Sequence, residues 1–341
     1  MAVLVLGLFP QSALAQDKPA VSAQAAIVTS GCAVLYEKNP DLRLPMASTT
    51  KLMTALVALE NCKLNERVEI KSEYCNVEGS LMYLVPDDTN TVEELIAGLL
   101  LVSGNDAALA LAGHIAGDSA HFATMMNEKA LELGMVDTHF VNPHGLTAQG
   151  HYTTARDLAR LMEHCMRKAD FARIIALKSC TVDAKLLLNH NKLLSLCQGC
   201  IGGKTGYTES AGRCLVSCCE REGMRVVCVT LDDANDWEDH CTLYNWTYSQ
   251  CTARCVTDGL SFAVPIVSGD ARWAYLVPED EHKILLPPGK EIVLRAELPW
   301  FEFAPVKSGA HGGKMIVSVD GRDIAEYYLV YRDNVELRKR R

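Results

Sequence analysis

Between residues 45 and 250, apolar positions recur mainly at the spacing of amphipathic helices. This period predicts helices over residues 48–59, 91–101, 107–116, 120–133, 154–167 and 236–251. Ser48 is a suitable N-cap for the first of them, since a serine hydroxyl can accept a hydrogen bond from the first helical turn. Thr91 and Glu94 have the spacing of a capping box, in which each side chain binds the other's backbone N–H, and they mark the start of the second helix.

Runs rich in Val, Ile and Cys predict β-strands within the same region. Residues 25–36 predict a strand pair that turns at Ser30 and Gly31, and residues 214–219 and 224–231 predict a second pair. Later in the chain the pattern changes to short strands separated by proline and glycine, over residues 262–267, 273–277, 291–298, 314–319 and 324–330. The sequence therefore predicts a mixed helix-and-strand domain over residues 16–256 and a small all-β domain over residues 257–341.

The first fifteen residues differ from the rest of the chain. Residues 2–9 form an apolar run that is too short to span a bilayer, and Ala13-Leu14-Ala15 follows with the small residues of a signal-peptide cleavage site. We interpret residues 1–15 as a secretory signal peptide and expect an exported, extracytoplasmic protein. No Lys or Arg precedes the apolar run, so a buried N-terminal strand or helix is the alternative interpretation.

The charge balance excludes one class of partner. The chain has 33 Lys and Arg residues against 42 Asp and Glu residues, a net charge of -9. Nucleic acid is therefore not an expected partner, because binding to phosphates needs a basic face. The chain ends at the basic segment Arg338-Lys339-Arg340-Arg341, which is suited to peripheral contact with anionic lipid headgroups.

Fourteen cysteines are present, and three interpretations of them stay open. In an exported protein they can form disulfides, although so many cysteines do not define a pairing. A zinc site would join Cys197 and Cys200 to a second pair such as Cys214 and Cys218. The third interpretation treats Cys214, Cys218 and Cys228 as small buried hydrophobes on strands.

Ser48 and Lys51 are the first candidates for chemistry. The sequence contains no Gly-x-Ser-x-Gly nucleophile elbow, no His-Glu-x-x-His zinc motif and no phosphate-binding glycine loop. Ser48 and Lys51, three residues apart, share one face of the predicted helix. A lysine whose pKa is lowered by burial can take the proton of a serine hydroxyl, which makes the serine a nucleophile. The structural alternative is an N-capping serine beside a solvated lysine.

Two further polar clusters interrupt apolar segments. Ser103 and Asn105 lie between two predicted helices, where a hydroxyl can relay a proton and an amide can hold a substrate carbonyl. Lys204, Thr205 and Gly206 follow two more glycines. A backbone without Cβ atoms can approach a ligand, while the lysine and the threonine can bind a carboxylate. The structural alternatives are a capped helix–helix turn and a glycine-rich hairpin or edge strand.

The three clusters together have the order of motifs found in class A β-lactamases and penicillin-binding proteins. The chain resembles the low-molecular-weight penicillin-binding proteins, specifically the serine D-alanyl-D-alanine carboxypeptidases. The resemblance is carried by residues 44–55, 101–108, 140–146, 153–159 and 203–212. It implies an α+β (α/β) fold: a β-lactamase/transpeptidase-like domain, with helices packed on an antiparallel sheet, followed by a small all-β C-terminal domain.

The resemblance implies that Ser48 attacks the penultimate D-Ala carbonyl of peptidoglycan stem peptides, with Lys51 as the base. The resemblance also assigns roles to the other site residues. Ser103 relays a proton, and Asn105 orients both the substrate and the Lys51 side chain. Lys204 and Thr205 bind the terminal carboxylate, Gly206 lies in the substrate-binding strand, and the N–H groups of Tyr207 and Ser48 form the oxyanion hole. β-Lactam antibiotics would acylate Ser48. We expect no cofactor and no metal in the reaction, and a role in cell-wall biogenesis and cell shape.

Two departures from the family pattern, and two rival functions, stay open. Residues 232–239 are acidic and lack the Arg that some members use to bind the substrate carboxylate, so that task falls on Lys204, Thr205 or Arg213. Many members also end in an amphipathic anchoring helix; at the corresponding place this sequence has the basic residues 338–341, and we expect loose peripheral association or release. A β-lactamase is the nearest rival, but Glu163 has no Asn four residues later, which disfavours a deacylating Glu. The second rival is a catalytically silent wall-binding protein.

Overall fold

The structure, a computed structural model, describes residues 2–8, 18–31, 33–286 and 291–338. It divides into two compact units. The first contains Lys18–Thr29 and Val34–Thr247, and the second contains the described residues from Tyr248 onward with residues 2–8, 30, 31 and 33. The division after Thr247 lies a few residues before the boundary at residue 256 that the strand pattern suggests.

Helices are concentrated in the first unit, and the later part of the chain is built from strands. The helices of the described residues are α1 (Lys51–Asn61), α2 (Ser72–Cys75), α3 (Val92–Leu101), α4 (Asn105–Ala116), α5 (Ser119–Glu132), α6 (Ala155–Cys165), α7 (Ala169–Ile175), α8 (Leu193–Leu196) and α9 (Asp236–Gln250). Its strands are β1 (Ala2–Leu8), β2 (Ala25–Ser30), β3 (Ala33–Lys38), β4 (Arg67–Glu69), β5 (Thr89–Thr91), β6 (Ser179–Val182), β7 (Lys185–Leu188), β8 (Cys200–Thr208), β9 (Gly212–Arg221), β10 (Met224–Leu231), β11 (Thr252–Cys255), β12 (Phe262–Val267), β13 (Trp273–Pro278), β14 (Lys283–Leu286), β15 (Ile292–Leu298), β16 (Glu302–Phe303), β17 (His311–Val319) and β18 (Arg322–Tyr331).

A five-stranded sheet organises the first unit, with strand order β3-β2-β10-β9-β8. The ladders of β10 with β2, β10 with β9, and β8 with β9 are antiparallel. One hydrophobic cluster joins this sheet to the helices, with Leu56 of α1, Ile96 of α3, Leu158 of α6 and Val229 of β10 among its fully buried members. The structure thus confirms helices packed on an antiparallel sheet, with β8 at an edge.

The second unit contains a seven-stranded sheet of the order β1-β15-β17-β18-β13-β12-β16. Buried and half-buried residues alternate along β15, as expected for a strand with one face toward a core. The main chain of Ala2–Leu8 pairs with Ile292–Leu298 in the same sheet. This pairing agrees with the alternative interpretation of the segment, an N-terminal strand instead of a signal peptide. The cleavage site proposed at residues 13–15 lies outside the described residues, so cleavage stays a prediction.

Several element boundaries differ from the sequence-based ones. Ser48 is not an N-cap, because the chain forms a 3-10 helix over Ala47–Thr50 and α1 begins only at Lys51, with no side-chain cap. Helix α4 begins at Asn105 rather than at residue 107. The capping box of Thr91 and Glu94 is confirmed, with both reciprocal hydrogen bonds present. Helix α7 and the β6–β7 pair were not foreseen.

The described cysteines are all free thiols. Cys214, Cys218 and Cys228 are fully buried, which confirms their interpretation as small core residues. The zinc set is wrong: within the described part of the chain, Cys197 and Cys200 do not form a metal-binding cluster with Cys214 and Cys218. Among the described helices, none combines the length and the apolar character that crossing a membrane requires.

Candidate active site

The turn that leads into α1 brings a serine and a lysine into contact. Ser48 lies in the 3-10 helix and is half-buried, and Lys51 opens α1 and is completely buried. The Lys51 Nζ lies 2.9 Å from the Ser48 Oγ. The hydroxyl of Thr50 donates to the carbonyl of Ala47 at 2.8 Å, which fixes the turn on the other side. The Ser48 hydroxyl is therefore held next to an amine that has no contact with solvent.

The partners of Lys51 fit an uncharged amine. Besides Ser48, the Nζ donates to the Asn105 Oδ1 at 2.7 Å and to the His144 carbonyl at 2.6 Å. A neutral amine has two N–H groups for these two acceptors and one lone pair that can face the Ser48 hydroxyl. Burial, and then the charge of Lys204, hold the pKa of Lys51 well below its usual range, against an opposing effect of Asp106. The surroundings of Lys51 therefore favour the neutral amine, which is the form that can act as a base.

The turn between α3 and α4 supplies the second cluster. Ser103 has a positive φ of 63° and a buried hydroxyl with no hydrogen-bond partner among the described residues. Such an orphaned hydroxyl is uncommon in a folded interior and is typical of a position that binds a substrate. Asn105 is anchored on its other side, where its Nδ2 donates to the Glu78 carbonyl at 2.6 Å. Its amide therefore presents a fixed oxygen to Lys51.

Asp106 holds the loop in front of this turn. It is buried, and its carboxylate accepts hydrogen bonds from the backbone N–H groups of Met82 and Leu84, both at 3.0 Å. These hydrogen bonds hold the loop over residues 78–84 against α4. They therefore also fix the position of the Glu78 carbonyl, which orients Asn105. Asp106 is a positioning residue that the motif reasoning did not identify.

The third cluster lies on the edge strand β8. Lys204 is buried, and its Nζ donates to the Thr205 carbonyl at 2.8 Å. Burial lowers the pKa of Lys204 to about 7. Thr205 is half-buried and Tyr207 is exposed. The strand therefore offers a second buried amine that titrates near neutrality, followed by groups that solvent and ligands can reach.

Gly206 explains how β8 approaches the nucleophile. A Cβ at this position would lie 3.0 Å from the Ser48 N and 3.1 Å from both the Met46 carbonyl oxygen and the Ala47 Cβ. Since real Cβ contacts are rarely so short, any larger residue would push the strand away from the turn. The structure thus brings Lys204 and Gly206 to the Ser48 turn, with Thr205 and Tyr207 as their chain neighbours.

Two functional positions in the loop after α5 were missed: the His144 carbonyl that binds Lys51, and Gly145. Gly145 has a φ of +89°, and a Cβ there would lie 2.0 Å from the Ala47 carbonyl oxygen. The Asn142 side chain accepts from the Gly145 N–H at 2.7 Å and holds the loop in this shape. The segment 140–146 was noted as part of the resemblance, but a backbone carbonyl that acts as a ligand leaves no side-chain signal.

A buried histidine supports the same turn. His151 Nδ1 accepts from the Val141 N–H at 3.0 Å, so its Nε2 carries the proton and donates to the Thr50 hydroxyl at 2.8 Å. Burial lowers the pKa of His151 to about 4, which keeps the imidazole neutral. The chain of hydrogen bonds from His151 through Thr50 to the Ala47 carbonyl therefore stabilises the backbone next to Ser48.

Two residues considered as alternatives are engaged elsewhere. One guanidinium nitrogen of Arg213 donates to both carboxylate oxygens of Asp236, at 2.8 and 3.0 Å, and the guanidinium lies over the Trp237 ring. Glu163 accepts from the Thr29 hydroxyl at 2.5 Å, and burial raises the pKa of its carboxyl to about 7. Within the described part of the chain, neither side chain is hydrogen-bonded to the groups around Ser48.

The chain is similar to known proteins over most of its length. A family model described as D-alanyl-D-alanine carboxypeptidase matches residues 12–235. The D-alanyl-D-alanine carboxypeptidase DacF of Bacillus subtilis is 29% identical over 325 residues, covering 89% of this chain and 82% of that protein. DacC of Escherichia coli is 30% identical over 359 residues, with 97% and 90% covered. The crystal structure of penicillin binding protein 5 from Haemophilus influenzae has a TM-score of 0.74 and 29% identity, covering 94% of this chain and 99% of that one.

Proposed function

This chain belongs to the D-alanyl-D-alanine carboxypeptidase family of serine peptidases, and we propose that it removes the terminal D-Ala of peptidoglycan stem peptides with Ser48 as nucleophile and Lys51 as base. The observation that carries the assignment of roles is the buried Lys51 amine, 2.9 Å from the Ser48 Oγ, with its N–H groups directed to two other acceptors. A solvated lysine beside an N-cap, the structural alternative, would have neither the burial nor these partners.

Acylation begins with the attack of the Ser48 Oγ on the carbonyl carbon of the penultimate D-Ala. The hydroxyl proton passes to the Lys51 Nζ as the C–O bond forms, and the carbonyl oxygen gains a negative charge. The N–H groups of Ser48 and Tyr207 stabilise this oxyanion, a contribution worth about 100- to 1000-fold in rate for each donor in known sites. The close approach of Gly206 to the Ser48 N supports this pairing.

The leaving group then needs a proton. As the C–N bond breaks, the amine of the released D-Ala takes a proton through the Ser103 hydroxyl, ultimately from Lys51. The unpartnered Ser103 Oγ is available for this transfer. Water then hydrolyses the acyl-enzyme. Its oxygen attacks the ester carbon while its proton passes to the base, the C–O bond to Ser48 breaks, and the base returns the proton to the Ser48 oxygen as the shortened peptide leaves with a free carboxylate.

The substrate's terminal carboxylate binds at the edge strand. Lys204 supplies a positive charge when it is protonated, and Thr205 supplies a hydroxyl. Arg213 is paired with Asp236, which leaves the binding of the carboxylate to Lys204 and Thr205. Asn105 orients the substrate amide from the opposite side. β-Lactam antibiotics, which carry a carboxylate next to a strained amide, occupy the same positions and acylate Ser48.

We further propose that the protein is exported and acts outside the cytoplasmic membrane, in cell-wall biogenesis and in maintaining cell shape. The apolar run over residues 2–9 with Ala13-Leu14-Ala15 supports export. The basic segment from Arg338 to Arg341, of which residues 339–341 lie outside the described part, supports peripheral contact with anionic lipids. Expression in a bacterium with N-terminal sequencing of the extracytoplasmic fraction tests export and cleavage. We expect a new N-terminus at Gln16, and a cytoplasmic, uncleaved chain contradicts the proposal of export.

A fluorescent penicillin tests the nucleophile. We expect one covalent label per wild-type chain, located at Ser48 by peptide mass spectrometry, and no label on Ser48→Ala. Ser195→Ala, on the short helix α8, is the matched control and is expected to label normally. Labelling of Ser48→Ala at the wild-type rate would place the nucleophile elsewhere.

Release of free D-Ala from a pentapeptide then separates the enzyme from a silent binder. We expect release by the wild type and none by Ser48→Ala, and stable labelling without any release would identify a penicillin-binding scaffold without peptidase activity. A β-lactamase is disfavoured, because Glu163 is held by Thr29 on strand β2. Rapid turnover of the penicillin instead of a stable acyl-enzyme would reverse that conclusion.

A further inference from the structure

A cysteine, a glutamate and a histidine meet at the far ends of the two catalytic helices. Cys62 is the C-cap of α1, Glu66 follows in the next loop, and His114 lies in the last turn of α4. One ligand atom from each of these side chains lies within 4.8 Å of the other two. We propose that this triad is a binding site for one zinc ion.

The donor set determines the class of ion. A thiolate, an imidazole and a carboxylate are ligands that zinc accepts in a tetrahedral arrangement, whereas magnesium and calcium prefer oxygen ligands only. Zinc at about 2.0–2.3 Å from each donor holds neighbouring ligand atoms roughly 3–4 Å apart. The observed spacing, within 4.8 Å, is close to this range, and a water molecule would supply the fourth ligand. Binding converts the Cys62 thiol to a thiolate and releases its proton to solvent.

The three side chains are accessible and partly preorganised. His114 and Glu66 are 26% and 42% exposed, so an ion can enter from solvent. The His114 Nε2 already lies 2.8 Å from the Glu66 Oε1, and the Lys63 N–H donates to the other carboxylate oxygen. Cys62 is half-buried against the core cluster, which holds the thiol at one place. An ion replaces the direct contact between Glu66 and His114.

The position of the site indicates its effect. The N-terminal ends of α1 and α4 carry Lys51 and Asn105, which are hydrogen-bonded to each other. The triad connects the opposite ends of the same two helices, roughly 16 Å along α1 from Lys51 at 1.5 Å per residue. A zinc ion there would fasten the two helices together without touching the substrate. We therefore expect a gain in thermal stability and little change in acylation rate.

Zinc titration of the full-length, reduced and chelator-stripped protein tests the site. All proteins carry Cys197→Ser, because the thiols of Cys197, Cys219 and Cys241 interact and could bind zinc themselves. We expect one zinc ion per chain, and at least tenfold weaker binding for Cys62→Ser and for His114→Ala. The control is His121→Ala, which removes a histidine paired with Asp118 at 2.7 Å. It should bind zinc normally.

Two further measurements complete the test. Zinc should raise the melting temperature of the Cys197→Ser protein by several degrees and leave that of the additional Cys62→Ser variant unchanged. Penicillin labelling at the wild-type rate shows that each variant is folded, and it does not depend on the ion. Absence of stoichiometric binding, or binding that survives both Cys62→Ser and His114→Ala, overturns the proposal. An equal loss with His121→Ala overturns it too, since it indicates only nonspecific histidine binding.

Discussion

The two units of the molecule differ in what they bury. The first unit encloses Lys51, Lys204 and Asp106, together with several other ionisable side chains. Among the described residues from Tyr248 onward, the buried polar side chains include those of Thr257, Ser318 and Tyr331, none of which is charged near neutral pH. Burying a charge is costly unless it is compensated. The first unit therefore carries groups that serve reactivity, whereas the second has the composition of a unit built for stability.

The two units also differ in the burial pattern along their strands, as a comparison of the interior strand β15 with the edge strand β8 shows. Along β15 of the second unit, buried side chains alternate regularly with half-buried ones, as a one-sided sheet requires. Along β8 of the first unit the alternation is lost, because three consecutive residues ending at Lys204 are buried. The neighbouring strands β9 and β10 contain still longer buried runs, so the lost alternation is a property of this sheet. What distinguishes β8 is its edge position together with the buried lysine that it carries.

Replacing the buried base gives the largest expected effect. Lys51→Met keeps a long, unbranched side chain in the core but removes the amine next to Ser48. General-base catalysis contributes about 100- to 10,000-fold, so we expect the penicillin acylation rate to fall by that factor. Stopped-flow or gel-based labelling measures it, with near-UV circular dichroism as the check on folding. Lys178→Met, at an exposed position, is the control, and an equal loss in both variants would deny Lys51 a special role.

A methyl group behind the nucleophile turn gives the next largest effect. Gly145→Ala places a Cβ against the Ala47 carbonyl and shifts the backbone beside Ser48. Because a misplacement of 1 Å can cost about 100-fold, we expect a loss of acylation of that order. Gly134→Ala is the matched control: Gly134 also has a positive φ of +71°, but nothing lies within 4 Å of its Cβ position. It should lose stability alone, by about 1–2 kcal/mol.

The pH dependence of substrate binding distinguishes the two buried lysines. Lys204 must be protonated to attract a carboxylate, and its pKa in the free enzyme is about 7. We expect kcat/KM for a pentapeptide to fall about tenfold per unit as the pH rises above that value. In the pH profile of kcat the same decline should occur at a higher pH, because the carboxylate of the bound substrate raises the pKa of Lys204. Coincident profiles would show that Lys204 does not contact the substrate carboxylate.

The smallest effect on chemistry is expected in the second unit. Leu294→Ala removes a buried side chain from β15 and should lower the free energy of unfolding by about 2–5 kcal/mol. The acylation rate per folded molecule should stay at the wild-type value. Val293→Ala, at the half-buried neighbouring position, is the control and should cost less stability. Chemical denaturation measures stability and active-site titration measures the acylation rate per folded molecule. A rate loss in Leu294→Ala would contradict the assignment of the chemistry to the first unit alone.

Much of the fold is readable from the sequence where the pattern is local. The strand over Phe262–Val267 and the capping box at Thr91 follow from alternation and from spacing. The turn at Ser48 was misread because a serine before an apolar helix usually caps it. Here the chain forms a 3-10 helix that packs closely against the backbone at Gly145 and Gly206, two tertiary contacts that the local sequence does not show. Helix α7 and the β6–β7 pair are too short to give a clear period.

The sequence indicated the candidate side chains of the site but not its backbone ligands. Ser48, Lys51, Asn105 and Lys204 were found because their chemistry shows in the letters of the sequence. The carbonyl of His144 was not, because every residue has one and only the fold decides which carbonyl meets an amine. The loop contacts of Asp106 were missed because its partners are backbone N–H groups, and the sequence does not show which of these a carboxylate meets.

The account depends on an uncharged Lys51 amine in the resting enzyme. NMR titration of the protein labelled at its lysine Cε and Nζ measures this directly, with Lys51→Met assigning the resonance. We predict that the Lys51 signal titrates well below the ordinary lysine value of 10.5 and that the acylation rate rises with pH over the same range. A Lys51 amine that stays protonated up to its ordinary pKa while Ser48 is acylated at full rate would contradict the account.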